Sequence, residues 1–219
     1  MPDHSIVSRP PVFDAQFQER LIDLFRWRRD VRRFRDAPLA EPLVDELLAL
    51  ACLAPSVGNS QPWRFVKVKS AAARAAVRAS FERCNRRALE NYEGDRARLY
   101  AGLKLSGLDQ APVHIAVFAE ENPTEGQGLG RATMPETVGY SVAMAVHTLW
   151  IAARARGVGI GWVSILDPDQ VSRALDARST WKLVAYLCVG WPEEEHLDPE
   201  LERHGWQARF AASRFISEK

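Results

Sequence analysis

The chain predicts an α+β fold in a single domain. Three observations lead there. Helical and strand patterns are interspersed without the regular strand–helix–strand alternation of a doubly wound sheet. The segments that read as strands are short apolar runs bounded by Pro, Gly or charged residues. The 219 residues, 47% of them hydrophobic, supply one generous core, and no linker, repeat or low-complexity run divides them.

Residues 1 to about 13 are polar and proline-broken, with no apolar signal core, and read as a mobile N-terminal arm. Asp14 is placed to cap a helix whose apolar face is Phe17, Leu21, Leu24 and Phe25. The basic turn Arg28-Arg29-Asp30-Val31-Arg32 follows. Pro42 suits the first turn of a second helix, which runs through Leu43, Leu47 and Leu50 to Ala54. Residues 54–62 are dense in turn formers, and 63–68 alternate as a strand should. A helix rich in Ala and Arg covers 71–92, a polar break follows at Glu93-Gly94-Asp95, and a shorter helix covers 96–108. Residues 112–118 read as an apolar strand, and 126–131 as a glycine-rich loop. The long helix 135–156 contains Ser141, His147 and Arg154, so it reads as a buried helix, not a membrane span. Gly157 ends it, because glycine tolerates the left-handed conformation there. Core strands are expected at 160–165 and 183–189, with Ser164 inside the first. A charged C-terminal extension begins at about residue 192, where Arg209-Phe210 and Phe215 are placed to grip a neighbouring surface.

The net charge of +1 gives no global field for nucleic acid or an anionic membrane. The charge is instead local: six arginines fall between Arg26 and Arg35, with Asp30 the only carboxylate among them. Guanidinium forks suit a phosphate, whereas an acid inside the cluster would repel one. Asp30 is therefore a candidate for chemistry, and the arginines for anchoring. The alternative for the arginines is a solvated helix end favoured by the dipole.

Cys52, Cys84 and Cys188 show no paired spacing, Cys52 and Cys188 lie in apolar runs and read as buried thiols, and a reducing cytoplasm is the expected compartment. The five histidines are scattered without metal-ligand spacing, so no metal is expected. No nucleophile elbow, Walker loop or kinase signature is present.

Three further loops offer ligand contacts. Residues 55–63 combine small residues, which let backbone approach a flat ligand, with Asn59 and Gln61, which can read a heterocycle. The glycines of 157–161 precede a strand, so they do not match a Rossmann fingerprint. Residues 129–137 can close over a pocket, and Glu193-Glu194-Glu195 reads as a solvated charge run. Each of these also has a plain reading as a surface loop.

The arginine turn after the first helix, the Pro55-Ser56 to Gln61-Pro62-Trp63 loop and the glycine-rich approach to a late strand together resemble the nitroreductase-like flavoprotein superfamily. The resemblance extends from about Phe17 to Trp191. It implies a central mixed β-sheet flanked by helices, and a homodimer holding FMN at the subunit interface. The helix from Pro135 would lie at that interface, and the extension at 192–219 would embrace the partner. Within the superfamily the chain is similar to the aerobic 5,6-dimethylbenzimidazole synthases, or flavin destructases. Asp30 stands where ordinary nitroreductases usually carry Ser, Ser164 matches a functionally important serine, and residues 103–108 and 130–141 follow the same pattern. Ser106 departs from it, since Glu is expected there, and Asn59-Ser60 fits either group.

This resemblance implies that reduced FMN is a substrate, with O2 as co-substrate. The products would be 5,6-dimethylbenzimidazole, the lower ligand of cobalamin (vitamin B12), and D-erythrose 4-phosphate. A separate flavin reductase would supply the reduced flavin, so no nicotinamide is required. Arg28, Arg29 and Arg32 would hold the phosphate and ribityl chain, with Val31, Pro55, Ser56, Gln61, Lys104 and Leu105 also contacting flavin. Asp30 and Ser164 would be catalytic. The competing expectations are an NAD(P)H-dependent FMN nitro- or quinone reductase and a non-catalytic flavin-binding protein.

Overall fold

The computed structural model describes residues 10–103 and 107–219. Helix α1 (Ala15–Trp27) begins where expected, with the Asp14 carboxylate accepting the Phe17 N–H at 2.8 Å. Helix α2 (Glu41–Ala51) carries Pro42 in its first turn. Helices α3 (Ala71–Leu89), α4 (Gly94–Gly102) and α5 (Gly107–Gln110) lie between strands β1 (Trp63–Lys67) and β2 (Val113–Glu120). The long helix α6 (Thr137–Arg154) leads to β3 (Gly159–Val163), α7 (Pro168–Ala174), β4 (Trp181–Gly190) and the short α8 (Glu200–Arg203). Gly157 ends α6 with φ +71°, as its position predicts.

The strands form one sheet in the order β1-β2-β4-β3, and every neighbouring pair is antiparallel. The mixed sheet expected from the resemblance is thus antiparallel through its four strands. Parallel pairing is confined to a bridge between Asp30 and Ile160. Alternate residues of β2 and β4 feed two cores, which is why both strands read as continuous apolar runs. Ile115, Val117, Leu187 and Val189 meet Leu47 of α2 and Val142, Val146 and Leu149 of α6. Phe118, Tyr186 and Cys188 meet Val77 of α3 and Val171 of α7 on the other face.

Several boundaries differ from the sequence reading. The helix expected over 96–108 stops at Gly102, where Leu103 leaves in an extended conformation. Strand β3 stops at Val163, so Ser164 lies beyond it in an exposed turn leading to α7. Cys52 is exposed, not buried. Helix α2 buries Val44, Leu47 and Ala51, and the residue after Ala51 points about 100° away from that stripe.

Helix α1 buries none of its residues; Phe17 and Phe25 stay about half exposed. Tyr140 and Met144 of α6 are also exposed, and the two helices touch. An apolar face therefore stands uncovered in the single chain. No described helix is long and apolar enough to cross a membrane.

Candidate active site

The basic turn is fastened along β3. The Val31 N–H donates to the Ile160 carbonyl at 3.0 Å. The Trp162 N–H donates to Asp30 Oδ1 at 2.9 Å. This close seating requires glycine in β3: a Cβ on Gly161 would stand 2.2 Å from the Val31 carbonyl oxygen, and one on Gly159 would stand 2.8 Å from Val31 Cγ2. The glycines that read as a ligand approach are thus the dock for the turn.

The arginines have different tasks. Arg29 donates through Nε to the Leu197 carbonyl at 2.8 Å and through Nη1 to the Arg28 carbonyl at 2.7 Å. It ties the C-terminal extension to the turn. Arg32 sits between Asp30 Oδ2, 3.5 Å away, and Glu200 Oε2, 3.9 Å away. Arg33 pairs with Glu194 and lies 3.6 Å from Glu200. Arg28 stacks 4.8 Å over the Trp150 ring of α6 and, among the described residues, carries no carboxylate partner. Burial lowers the pKa of Arg28 and Arg29 from the usual value, and the Arg209 guanidinium of the extension lowers both further. A cluster of cations that depress one another suits a bound anion, and a phosphate most of all.

Asp30 leaves 37% of its side chain open to the cleft, yet protein crowds it closely. That lost solvation raises its pKa from the usual carboxylate value, against the opposing Trp162 N–H and Arg32. Oδ1 is occupied by the Trp162 N–H, and Oδ2 is the oxygen that meets Arg32. Ser164 lies two residues beyond Trp162, one past the end of β3. Ser164 is exposed and is not among the residues that line the cleft at Asp30.

The cleft above the turn is walled by Trp150 and Arg154 of α6 and by residues 194–203 of the extension. The three glutamates at 193–195 are exposed, as a solvated run should be, but two of them are also paired. Glu194 is held at about 2 by hydrogen bonds from His196 and Arg33, and Glu195 pairs with Arg154. Backbone pairing sets this up: the Arg35 N–H meets the Trp191 carbonyl and the Glu193 N–H meets the Arg33 carbonyl. Glu200, Trp150 and Arg209 were not legible as site residues, because their spacing is that of any charged tail or apolar helix.

Pro55, Ser56 and Gln61 lie elsewhere. The Gln61 N–H donates to Ser56 Oγ at 3.0 Å, and the Val57 N–H to Ser141 Oγ at 3.0 Å. Asn59 and Gln61 both adopt positive φ, at 54° and 48°, a conformation uncommon outside glycine and often found at functional loops. Gly126 packs onto Gly58, so the 126–133 loop rests on this loop and not on the arginine cleft. Ser141 and Trp150 are nine positions apart on α6, so the two candidate clusters are separated by about 14 Å along the helix. The sheet agrees: β1 starts opposite Ala119, beside the start of β4, whereas Ile160 pairs with Val189 near its end. Lys104 and Leu105 lie outside the described residues.

The nitroreductase family model matches residues 25–191, a stretch that holds the turn, both glycine segments and all four strands. The chain belongs to the nitroreductase family. Among its curated relatives, the 5,6-dimethylbenzimidazole synthase of Rhodospirillum rubrum is 58% identical over 199 residues, covering 91% of this chain and 94% of that protein. The enzyme of that name from Rhodobacter capsulatus is 50% identical over 195 residues, 89% and 94% of the two chains. Among solved structures, iodotyrosine deiodinase bound to FMN and 3-iodo-L-tyrosine superimposes with a TM-score of 0.67 at 28% identity, covering 80% of this chain and 91% of that one. A nitroreductase-like protein from Streptococcus mutans reaches 0.70 at 19% identity, covering 92% and 98%, which shows the shared fold.

Proposed function

We propose that this nitroreductase family member is a 5,6-dimethylbenzimidazole synthase, which fragments reduced FMN with O2 to 5,6-dimethylbenzimidazole and D-erythrose 4-phosphate for cobalamin biosynthesis. The observation that carries the reading is Asp30: a carboxylate held in the middle of the arginine turn by the Trp162 N–H, with its second oxygen held only loosely by Arg32 at 3.5 Å. The synthases from R. rubrum and R. capsulatus, similar along about nine-tenths of the chain, support it.

The residues fit the phosphate end of FMN. Arg28 has no carboxylate on it among the described residues, and Arg209 lies close enough to add a second cation. Arg29 holds the extension that roofs the cleft, and Arg32 orients Asp30 Oδ2. When bound, the reduced flavin supplies both the electrons for O2 and the carbon skeleton that is cut. Asp30 Oδ2 accepts a proton from the ribityl side, a contribution of typically ~10²–10⁴-fold for a well-placed base. Its raised pKa makes it a better acceptor than an ordinary aspartate. The Ser164 hydroxyl, too weak an acid to act alone, donates a hydrogen bond towards the ring.

Pro55, Ser56 and Gln61 complete the site from a second copy of the chain. Packing the exposed stripe of α6, including Tyr140 and Met144, against its twofold mate runs the two helices antiparallel. That brings the Ser141 end of one copy beside the Trp150 end of the other, so each ring-binding loop reaches the partner's arginine turn. A separate reductase supplies reduced FMN, and no nicotinamide site is required. The free thiols, Cys52 exposed among them, suit the reducing cytoplasm.

The deciding experiment supplies chemically reduced FMN in air, without nicotinamide, and measures dimethylbenzimidazole by chromatography. Product from wild type and little from Asp30→Asn, with FMN binding retained in both, is the expected result. Nicotinamide oxidation with a nitroaromatic acceptor and no benzimidazole identifies a reductase instead. Stable binding with neither reaction identifies a flavin carrier.

A further inference from the structure

We propose that Glu200 is a positioning residue that keeps Asp30 basic by drawing the charge of Arg32 away from it. The inference rests on the reading of Asp30 as the base. An aspartate beside an arginine is ordinarily driven strongly acidic and becomes a poor proton acceptor. Burial supplies the larger offset to Arg32, and Glu200 is placed to add to it.

Glu200 opens α8 and keeps only 10% of its side chain exposed. Its Oε2 lies 3.9 Å from Arg32 Nε. Its Oε1 lies 3.6 Å from Arg33 Nη1 and 3.7 Å from His204 Nε2. One largely enclosed carboxylate thus gathers two guanidinium groups and an imidazole. Arg32, 11% exposed, is shared between Glu200 and Asp30, and it stands 3.5 Å from Asp30 Oδ2. That is well beyond the ~2.7–2.9 Å of a full charge-assisted bond. The guanidinium is therefore near enough to orient Asp30 but not to bind it closely.

Among the charged groups around Asp30, the opposition to Arg32 falls to Glu200. From its own turn it faces Arg28 and Arg32, and from β3 it receives only the Trp162 N–H. From β4 it faces Cys188, whose thiol burial pushes up to about 12 and so keeps neutral across the working range. Glu200, on α8, is the carboxylate that acts on it. His204 and Arg33 face Glu200 and not Asp30.

The test reads the carboxylate directly, without flavin. Full-length protein labelled with ¹³C-aspartate is titrated by NMR, and the Asp30 signal is assigned by its loss in Asp30→Asn. Removing the like charge in Glu200→Gln favours ionised Asp30 and is expected to lower its midpoint. Glu200→Asp, which keeps the charge, stays close to wild type. The acid limb of benzimidazole formation moves to lower pH with the midpoint. Arg33→Gln provides an independent variant should Glu200→Gln not fold: it leaves Glu200 freer to attract Arg32, so the Asp30 midpoint rises. An unmoved Asp30 midpoint in the folded variant overturns the proposal. If Asp30→Asn makes product at the wild-type rate, the base assignment fails while the Glu200 shift stands. If Asp30→Asn is inactive and the midpoint does not move, only the role of Glu200 fails.

Discussion

Gly161→Ala tests whether the seating of the arginine turn on β3 builds the site. The added methyl would lie 2.2 Å from the Val31 carbonyl oxygen, a main-chain atom that cannot swing aside. Restoring ordinary contact moves the turn outward by about 1 Å in a close-packed interior. Both bonds that fasten it, at 3.0 Å from Val31 to Ile160 and 2.9 Å from Trp162 to Asp30, are then stretched past hydrogen-bonding range. A neutral bond contributes roughly 0.5–1.5 kcal/mol and a charged one roughly 1.5–3, so the loss is about 2–4 kcal/mol. In a chain of this size that lowers Tm by roughly 4–16 °C. Urea unfolding of the flavin-free protein measures the first quantity, and fluorescence titration with FMN measures the second consequence, weaker binding. Gly102→Ala, where the methyl meets nothing within 4 Å, is the control. A Gly161→Ala protein with wild-type stability and wild-type FMN affinity would refute the docking scheme.

Arg28→Ala should weaken FMN binding by roughly 10–100-fold, the value of one charged bond to phosphate, with little change in stability. Arg29→Ala should instead free the extension, read by faster limited proteolysis between 193 and 203. His114 is buried and burial lowers its pKa to about 4 from 6.5, so only the unfolded chain takes up its proton between those values. Stability held above pH 6.5 should therefore fall as pH drops to about 4, by about 3 kcal/mol, and urea titrations of His114→Gln should show a flatter profile. Met144→Glu places like charges across the proposed twofold contact, and sedimentation should show monomers that bind FMN poorly. Ser164→Ala should keep FMN affinity but lower benzimidazole yield; wild-type yield would assign that serine a structural role.

Local signals in the sequence were reliable where the physics is local. Asp14 as a cap, Pro42 in a first turn and Gly157 as a helix terminator each act within a few residues, and the structure places all three as read. That Arg28 and Asp30 share one cleft was also legible, because the turn carries unusual composition. What failed to show was set at long range. The end of β3 depends on its register with β4, which no run of residues from 160 to 165 encodes. The partners of Glu194 and Glu200 depend on the extension pairing with residues 33–35, so an exposed charge run also lines the cleft. Arg29 looked like its neighbours, but two main-chain carbonyls occupy it.

In the order β1-β2-β4-β3, strand β3 is an edge strand, paired with β4 alone. Unpaired edges are templates for strand addition and aggregation. Here the arginine turn covers the outer rim: Val31 takes the Ile160 carbonyl, and the Asp30 carboxylate takes the Trp162 N–H as a strand carbonyl would. One oxygen of Asp30 thus guards solubility while the other is left for chemistry. Asparagine at this position keeps the acceptor that seals the rim, whereas alanine leaves an orphan N–H open to a neighbouring chain. An insoluble Asp30→Ala protein would therefore report on the sheet, and Asp30→Asn on the reaction.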